Sequence, residues 1–237
     1  MSRVPSRGHR MFFPPFLIFF VFICIFLLLL AFGLIQLGLF SWAFAKIGIP
    51  PEYLFTLLFL CIVGSMFNIP LRRIRLENDF DDRRVVSFFG MRFRPPYHER
   101  PNEMVLAVNV GGAVIPAVLS LYLLVNAFDP IRTLLAMAAV AYIVYKNARP
   151  VYGVGIAVPW LIPPIAAAVA AMVLNYHSAA PTAYVAGTLG TLIGADILHL
   201  NKLRYMRAPV ASIGGAGTFD GIFLSGIIAV LLAPVGG

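Results

Sequence analysis

Acidic side chains are scarce in this chain: ten Asp and Glu in 237 residues, with charged residues of both signs at only 12%. Soluble globular domains carry about 25% charged residues, so an ordinary soluble domain is excluded. There are only two cysteines. Cys24 and Cys61 both sit inside apolar runs, where they read as small hydrophobes, and no disulfide framework is indicated. The His-Glu-x-x-His pattern of zinc hydrolases is also lacking: His98-Glu99 is followed by Arg100-Pro101. No phosphate-cradling glycine loop and no cofactor-binding motif is found, so neither a metal nor a cofactor is expected. The chain has a formal net charge of +8, but the basic residues border apolar runs instead of alternating with aromatics on a stacking platform. Nucleic acid is therefore not an expected partner.

What the chain has in abundance is apolar sequence, 60% of all residues. A hydrocarbon core takes about 20 apolar residues to cross as a helix. Seven runs qualify as expected spans: Phe16–Ala45, Tyr53–Ile69, Met104–Asn126, Ile131–Tyr145, Val154–Asn175, Ala180–His199 and Gly215–Pro234. The expected fold is all-α, a single polytopic membrane domain with the lipid bilayer as its main partner. With the N-terminus in the cytoplasm, 16 of the 18 Lys and Arg fall on the inside, leaving only Lys46 and Arg132 outside. The positive-inside rule then favours an N-in, C-out chain in the inner (cytoplasmic) membrane. Ala43-Phe44-Ala45 imitates a signal-peptidase site, but the apolar stretch before it is about twice the 7–15 residues of a signal peptide, so a retained anchor helix is expected.

Between spans two and three lies a basic cytoplasmic loop, Leu71–Glu103. Its stretch from Arg84 to Arg94 alternates in a way that fits a small hairpin turning near Gly90. Such a loop lies against anionic headgroups or docks a partner. Two spans carry glycine four residues before proline, Gly112 to Pro116 and Gly155 to Pro159, and both are expected to kink. Asn109 places an amide one turn before the first kink.

Of the ten carboxylates, only Asp196 and Asp220 fall inside expected spans. A carboxylate at bilayer depth costs roughly 2.5–3.5 kcal/mol on insertion scales, and such a group is a functional candidate by default. Both fall in the cytoplasmic half, on antiparallel neighbouring spans. Two carboxylates in a small apolar site share one proton, so that one activates water and the other protonates a carbonyl oxygen or leaving amine. Gly194, Gly217 and Gly221 flank the pair, and missing Cβ atoms let a substrate backbone approach. His199, three residues after Asp196, shares its face in a regular helix.

The segment Gly217-Thr218-Phe219-Asp220-Gly221 resembles the Gly-x-Gly-Asp motif of presenilin-type and prepilin-peptidase-type intramembrane aspartic proteases. The resemblance implies that Asp220 and Asp196 are the catalytic pair and that the substrate is a membrane protein or peptide. The chain departs from that pattern at Phe219, which replaces the glycine before the aspartate, and at Ala195, where presenilin-like proteins have tyrosine; no Pro-Ala-Leu segment follows. As a whole the chain resembles an uncharacterised prokaryotic membrane family, the domain of unknown function 1614, whose C-terminal region has similar Gly-Ala-Asp and Gly-Thr-Phe-Asp-Gly segments. Other readings of the same residues stay open. Asp196, Asp220, His199 and Asn109 suit a proton- or cation-coupled transporter. In a non-catalytic scaffold, Asp196 would pair with Lys202 or Arg204 and Asp220 would cap a helix.

Overall fold

The computed structural model describes residues 15–50, 52–75, 86–88, 91–93, 103–151, 155–205, 210–215 and 221–234. Met1–Ser41 forms one unit and Trp42–Gly237 a second. Helix α1 (Pro15–Lys46) begins in the first. From Phe22 to Leu39 nearly all its side chains are exposed, Leu28 at 69% and Leu34 at 61% among them. A helix that is apolar all round suits lipid on every side. Phe22–Lys46 is long and apolar enough to cross a membrane. Gly48, at φ +80°, ends it in the left-handed conformation that glycine adopts without steric cost.

The second unit is mostly helical. Helices α2 (Glu52–Ser65), α3 (Ile115–Val125), α4 (Pro130–Asn147), α5 (Ile162–Leu174), α6 (Ala179–Thr191) and α7 (Gly221–Leu232) make up most of it. Asp129 starts α4, its Oδ1 accepting from the Arg132 N–H at 3.1 Å, with Pro130 supplying a first residue that needs no N–H partner. Helix α6 is the axis: twelve of its thirteen residues are buried, Pro181 alone being partly exposed. Around it α4, α5 and α7 pack through an alanine-rich core that includes Ala136, Ala167, Ala171, Ala183, Ala186 and Ala229. Small residues let helix backbones approach closely, as in membrane bundles. Gly190 sits against Val140, and a Cβ on Gly194 would fall on the Ala141 carbonyl of α4. At the far end of α7, Lys46 Nζ donates to Val230 O at 2.8 Å and to Ala233 O at 2.5 Å, satisfying carbonyls that the helix leaves open.

The expectation of an all-helical chain is corrected by a small sheet. Strand β1 (Asn68–Arg75) pairs antiparallel with β4 (Glu103–Asn109), and β4 pairs parallel with β7 (Val210–Ile213), giving the order β1-β4-β7. Two short antiparallel pairs, β2 (Val86–Phe88) with β3 (Met91–Phe93) and β5 (Arg149–Val151) with β6 (Gly155–Ala157), complete the strands among the described residues. Phe88 lies opposite Met91, and the turn expected near Gly90 lies outside the described residues. The expected span Met104–Asn126 is thus a strand, a π turn (Val110–Val114) and the short helix α3. An apolar run as short as Met104–Val108 does not reveal its period, and β-branched Val105 and Val108 suit a strand.

The expected kink near Gly112 takes the form of that π turn, with the Ile115 N–H bonded to Val110 O. In Val154–Asn175 no kinked helix forms: Gly155–Ala157 is strand, and Pro163 and Pro164 open α5, where proline fits a first turn. Besides Phe22–Lys46, only the helical stretch Tyr176–Leu203 reaches spanning length among the described residues. Glu52–Ser65, Val110–Val125, Ile162–Leu174 and Gly221–Leu232 are shorter apolar helices.

The tight crossing at Gly194 makes a prediction. Gly194→Ala should destabilise by about 1–3 kcal/mol through overpacking, read as a lowered unfolding midpoint in detergent. Gly33→Ala, where nothing lies within 4 Å of the added methyl, should not lower it.

Candidate functional site

After Thr191, α6 loses its regular pitch. Leu192–Asp196 is a π turn in which the Ile197 N–H is shared between Ile193 O and Leu192 O, and Ile197–Tyr205 then tightens to a 3-10 helix. Such π turns inside helices occur frequently at functional sites. Asp196 is the last residue of this one and is half-buried.

Its carboxylate meets the end of strand β7. Asp196 Oδ2 accepts from the Gly214 N–H at 3.1 Å. Gly214 has φ +80°, and a Cβ there would crowd Ala113 and Gly112 of the first π turn. Glycine is therefore required twice over at this point, for its backbone conformation and for its space. The sheet brings it there: β7 runs beside β4 with Val108 opposite Ile213, and β4 leads directly into the first π turn. Below, Met104, Leu106 and Leu203 form a small core joined by Ile74, Ile156, Leu200, Ala211 and Ile213, which seats the sheet on the 3-10 segment that follows Asp196.

Asp196 opens onto a cavity of about 510 Å³, a size typical of small-ligand sites. Its walls come from β4, β6, β7, α5, α7 and the end of α6. Among the described residues lining it, Asp196 is the only ionisable one; Thr191, Ser212 and Ser225 supply hydroxyls, and the remainder is almost wholly apolar. Thr191 Oγ1 donates to Gly187 O at 2.5 Å, and Ser225 Oγ to the same oxygen at 3.3 Å. All four residues of β7 line the cavity, and among the described residues β7 is one of the two edge strands of its sheet.

The residues expected to form the site are distributed as follows. Asp196 and Gly221 line the cavity together, Gly221 being the first residue of α7 with nothing within 4 Å of an added Cβ. Asp220 and Gly217 lie outside the described residues. Gly194 is buried and packs on α4 rather than on the cavity. His199 is fully buried beneath the site, its Nδ1 3.0 Å from Gly194 O and its ring 4.8 Å from that of Tyr145.

Asn109 is also fully buried and is not among the residues lining the cavity. Its Oδ1 accepts from Gly112 N at 2.7 Å, while Nδ2 donates to Ser65 O at 2.7 Å and Asn68 Oδ1 at 3.1 Å. It caps the first π turn and ties that turn to β1. Asn68 Oδ1 also accepts from Ser212 Oγ at 2.6 Å, so one carbonyl links all three strands near the cavity. No group of three or more His, Cys, Asp and Glu comes together among the described residues.

The contribution of Gly214, Ser212 and Ser225 escaped sequence reasoning. Val210-Ala211-Ser212-Ile213, bounded by Pro209 and Gly214-Gly215, does carry a strand signal. The two serine hydroxyls carry none, because only the packing brings them to one wall.

No curated protein and no solved structure matches the chain. Residues 62–232 match a family described as "Protein of unknown function (DUF1614)". That stretch runs from α2 to the end of α7 and contains the whole described cavity wall, and on this match the chain belongs to the DUF1614 family.

Proposed function

We propose that the protein is a multi-pass intramembrane aspartic peptidase of the prokaryotic inner membrane, with Asp196 and Asp220 as its catalytic pair. The observation that carries this reading is the setting of Asp196: a carboxylate on a π turn, held by a backbone N–H, on the wall of a cavity where it is the one ionisable group among the described lining residues. Gly221, next in sequence to Asp220, is on the same wall. In this reading the two carboxyl groups share a proton. The ionised one takes a proton from water as the water oxygen attacks the scissile carbonyl carbon, and the neutral one protonates the carbonyl oxygen. Collapse of the tetrahedral gem-diol intermediate breaks the C–N bond: the neutral carboxyl protonates the departing nitrogen while the ionised one takes a hydroxyl proton from the gem-diol, so the dyad again holds one proton. The side of β7 away from β4, which pairs with no other strand among the described residues, offers N–H and C=O groups on which an extended substrate segment pairs by strand addition.

The seven-span, N-in and C-out arrangement belongs to the same proposal. The contact of Lys46 with Val230 O and Ala233 O supports it, because the α1–α2 connection and the end of α7 then lie on one side. The Thr133–Thr182–Asn175 cluster likewise joins the start of α4 to the α5–α6 connection, and both are outside in this topology. Helices of fewer than 20 residues fit where the bundle meets headgroups or is covered by neighbouring helices.

The reading predicts that Asp196→Asn and Asp220→Asn each lower cleavage by about 10²–10⁴-fold. The assay uses the full chain in lipid nanodiscs with reporter proteins that carry one apolar spanning segment, and both variants should keep the wild-type unfolding midpoint. Absence of cleavage by the wild type, together with a proton or cation flux in liposomes that Asp196→Asn abolishes, would transfer the pair to a transporter. Single-cysteine labelling in intact cells checks the topology: a cysteine at Ala127 should react with an impermeant maleimide and one at Ser87 should not.

A further inference from the structure

We propose that His199 is a positioning residue for Asp196, acting through the π turn and not by contact with substrate; the catalytic sense of this role rests on the peptidase reading above. The imidazole is fully buried and is not among the residues lining the cavity. Its Nδ1 lies 3.0 Å from Gly194 O. A carbonyl oxygen only accepts, so Nδ1 carries the hydrogen and donates it. Nε2, buried and without a hydrogen-bond partner among the described residues, is then a bare lone pair, the less costly state for a nitrogen with no acceptor to meet.

Gly194 is two residues before Asp196, inside the π turn. In a regular α-helix its carbonyl would take the backbone N–H four residues on. The change from π to 3-10 pitch at Ile197 disturbs that ladder, and the histidine ring reaches back to the carbonyl.

The ring is in turn fixed to α4. It lies 4.8 Å from Tyr145 at 40°, the Lys202 ammonium is 5.7 Å over the same tyrosine ring, and Gly194 itself is seated on Ala141 and Val144. Tyr145 on α4 and Lys202 on the histidine's own 3-10 segment are the titratable groups these contacts bring to it. The segment on either side of Asp196 is therefore held to one helix, at Gly194 and at His199. Asp196 lies between these two points, and its carboxylate reaches Gly214 N on the other side. A side chain serves best when the groups around it lock its direction, and misplacement by about 1 Å can cost a hundredfold in rate.

The test follows the Gly214 amide, whose acceptor is Asp196, by hydrogen exchange in the full chain in nanodiscs. His199→Phe keeps the bulk and loses the donor. It should speed exchange at Gly214 by about tenfold, while amides in the middle of α4 and α6 keep their protection. His199→Asn, which keeps an N–H donor close to the backbone, should restore wild-type exchange. In the cleavage assay the Phe variant should lose turnover by about a hundredfold at unchanged KM, and the Asn variant should recover most of it.

Unchanged exchange at Gly214 in the Phe variant overturns the proposal, as does an Asn variant that behaves like Phe. Should the Phe variant not fold, [15N]histidine spectra of the wild type decide: the Nδ1–H tautomer supports the assignment and the Nε2–H tautomer overturns it. If no reporter is cleaved yet Gly214 exchange follows the variants as described, the positioning role stands and the peptidase reading falls.

Discussion

A carboxylate among apolar side chains has to be met by donors, and much of the second unit serves to bring one to Asp196. The Gly214 N–H that meets it belongs to a residue at the end of an edge strand, in a conformation that glycine adopts freely, wedged against a second irregular turn. Sheet, both π turns and the core under the 3-10 segment therefore converge on one hydrogen bond. In a low-dielectric setting the cost of an unmet charge is high enough to organise structure around it.

The helices supply the fixed frame for that contact. Helix α6 is buried nearly all round, and its neighbours approach it through alanine and glycine, so the frame depends on close backbone contact and dispersion more than on large apolar side chains. At its C-terminal end α6 abandons regular pitch where it reaches the cavity. There the backbone changes from α through π to 3-10 within a few residues, which re-aims the side chains it carries. Thr191, still on the regular helix, and Asp196, at the end of the π turn, line the same cavity, so an ionisable group and a hydroxyl share a wall with apolar surface.

The sequence reading and the structure part company for identifiable reasons. Asp196 was legible because acidic residues are few and it stands in an apolar run. Asn109 was legible as an unusual amide, but its role was not: it closes a π turn with partners at Ser65 and Asn68, more than forty residues away in sequence. His199 was placed on the face of Asp196 by regular helical spacing, and that spacing fails where the pitch changes. Met104–Val108 shows neither helical nor strand period over so few residues, and β1 and β7 decide it by pairing on both sides.

Composition alone determined that this is a mostly helical chain rich in long apolar runs, where its basic residues gather and which carboxylates stand apart, because hydropathy and charge are properties of local sequence. Tertiary structure decided the sheet, the cavity, the donor to Asp196 and the separate duties of Asn109 and His199. Each of these depends on a partner far along the chain or on a departure from regular helical geometry, and neither has a local signature.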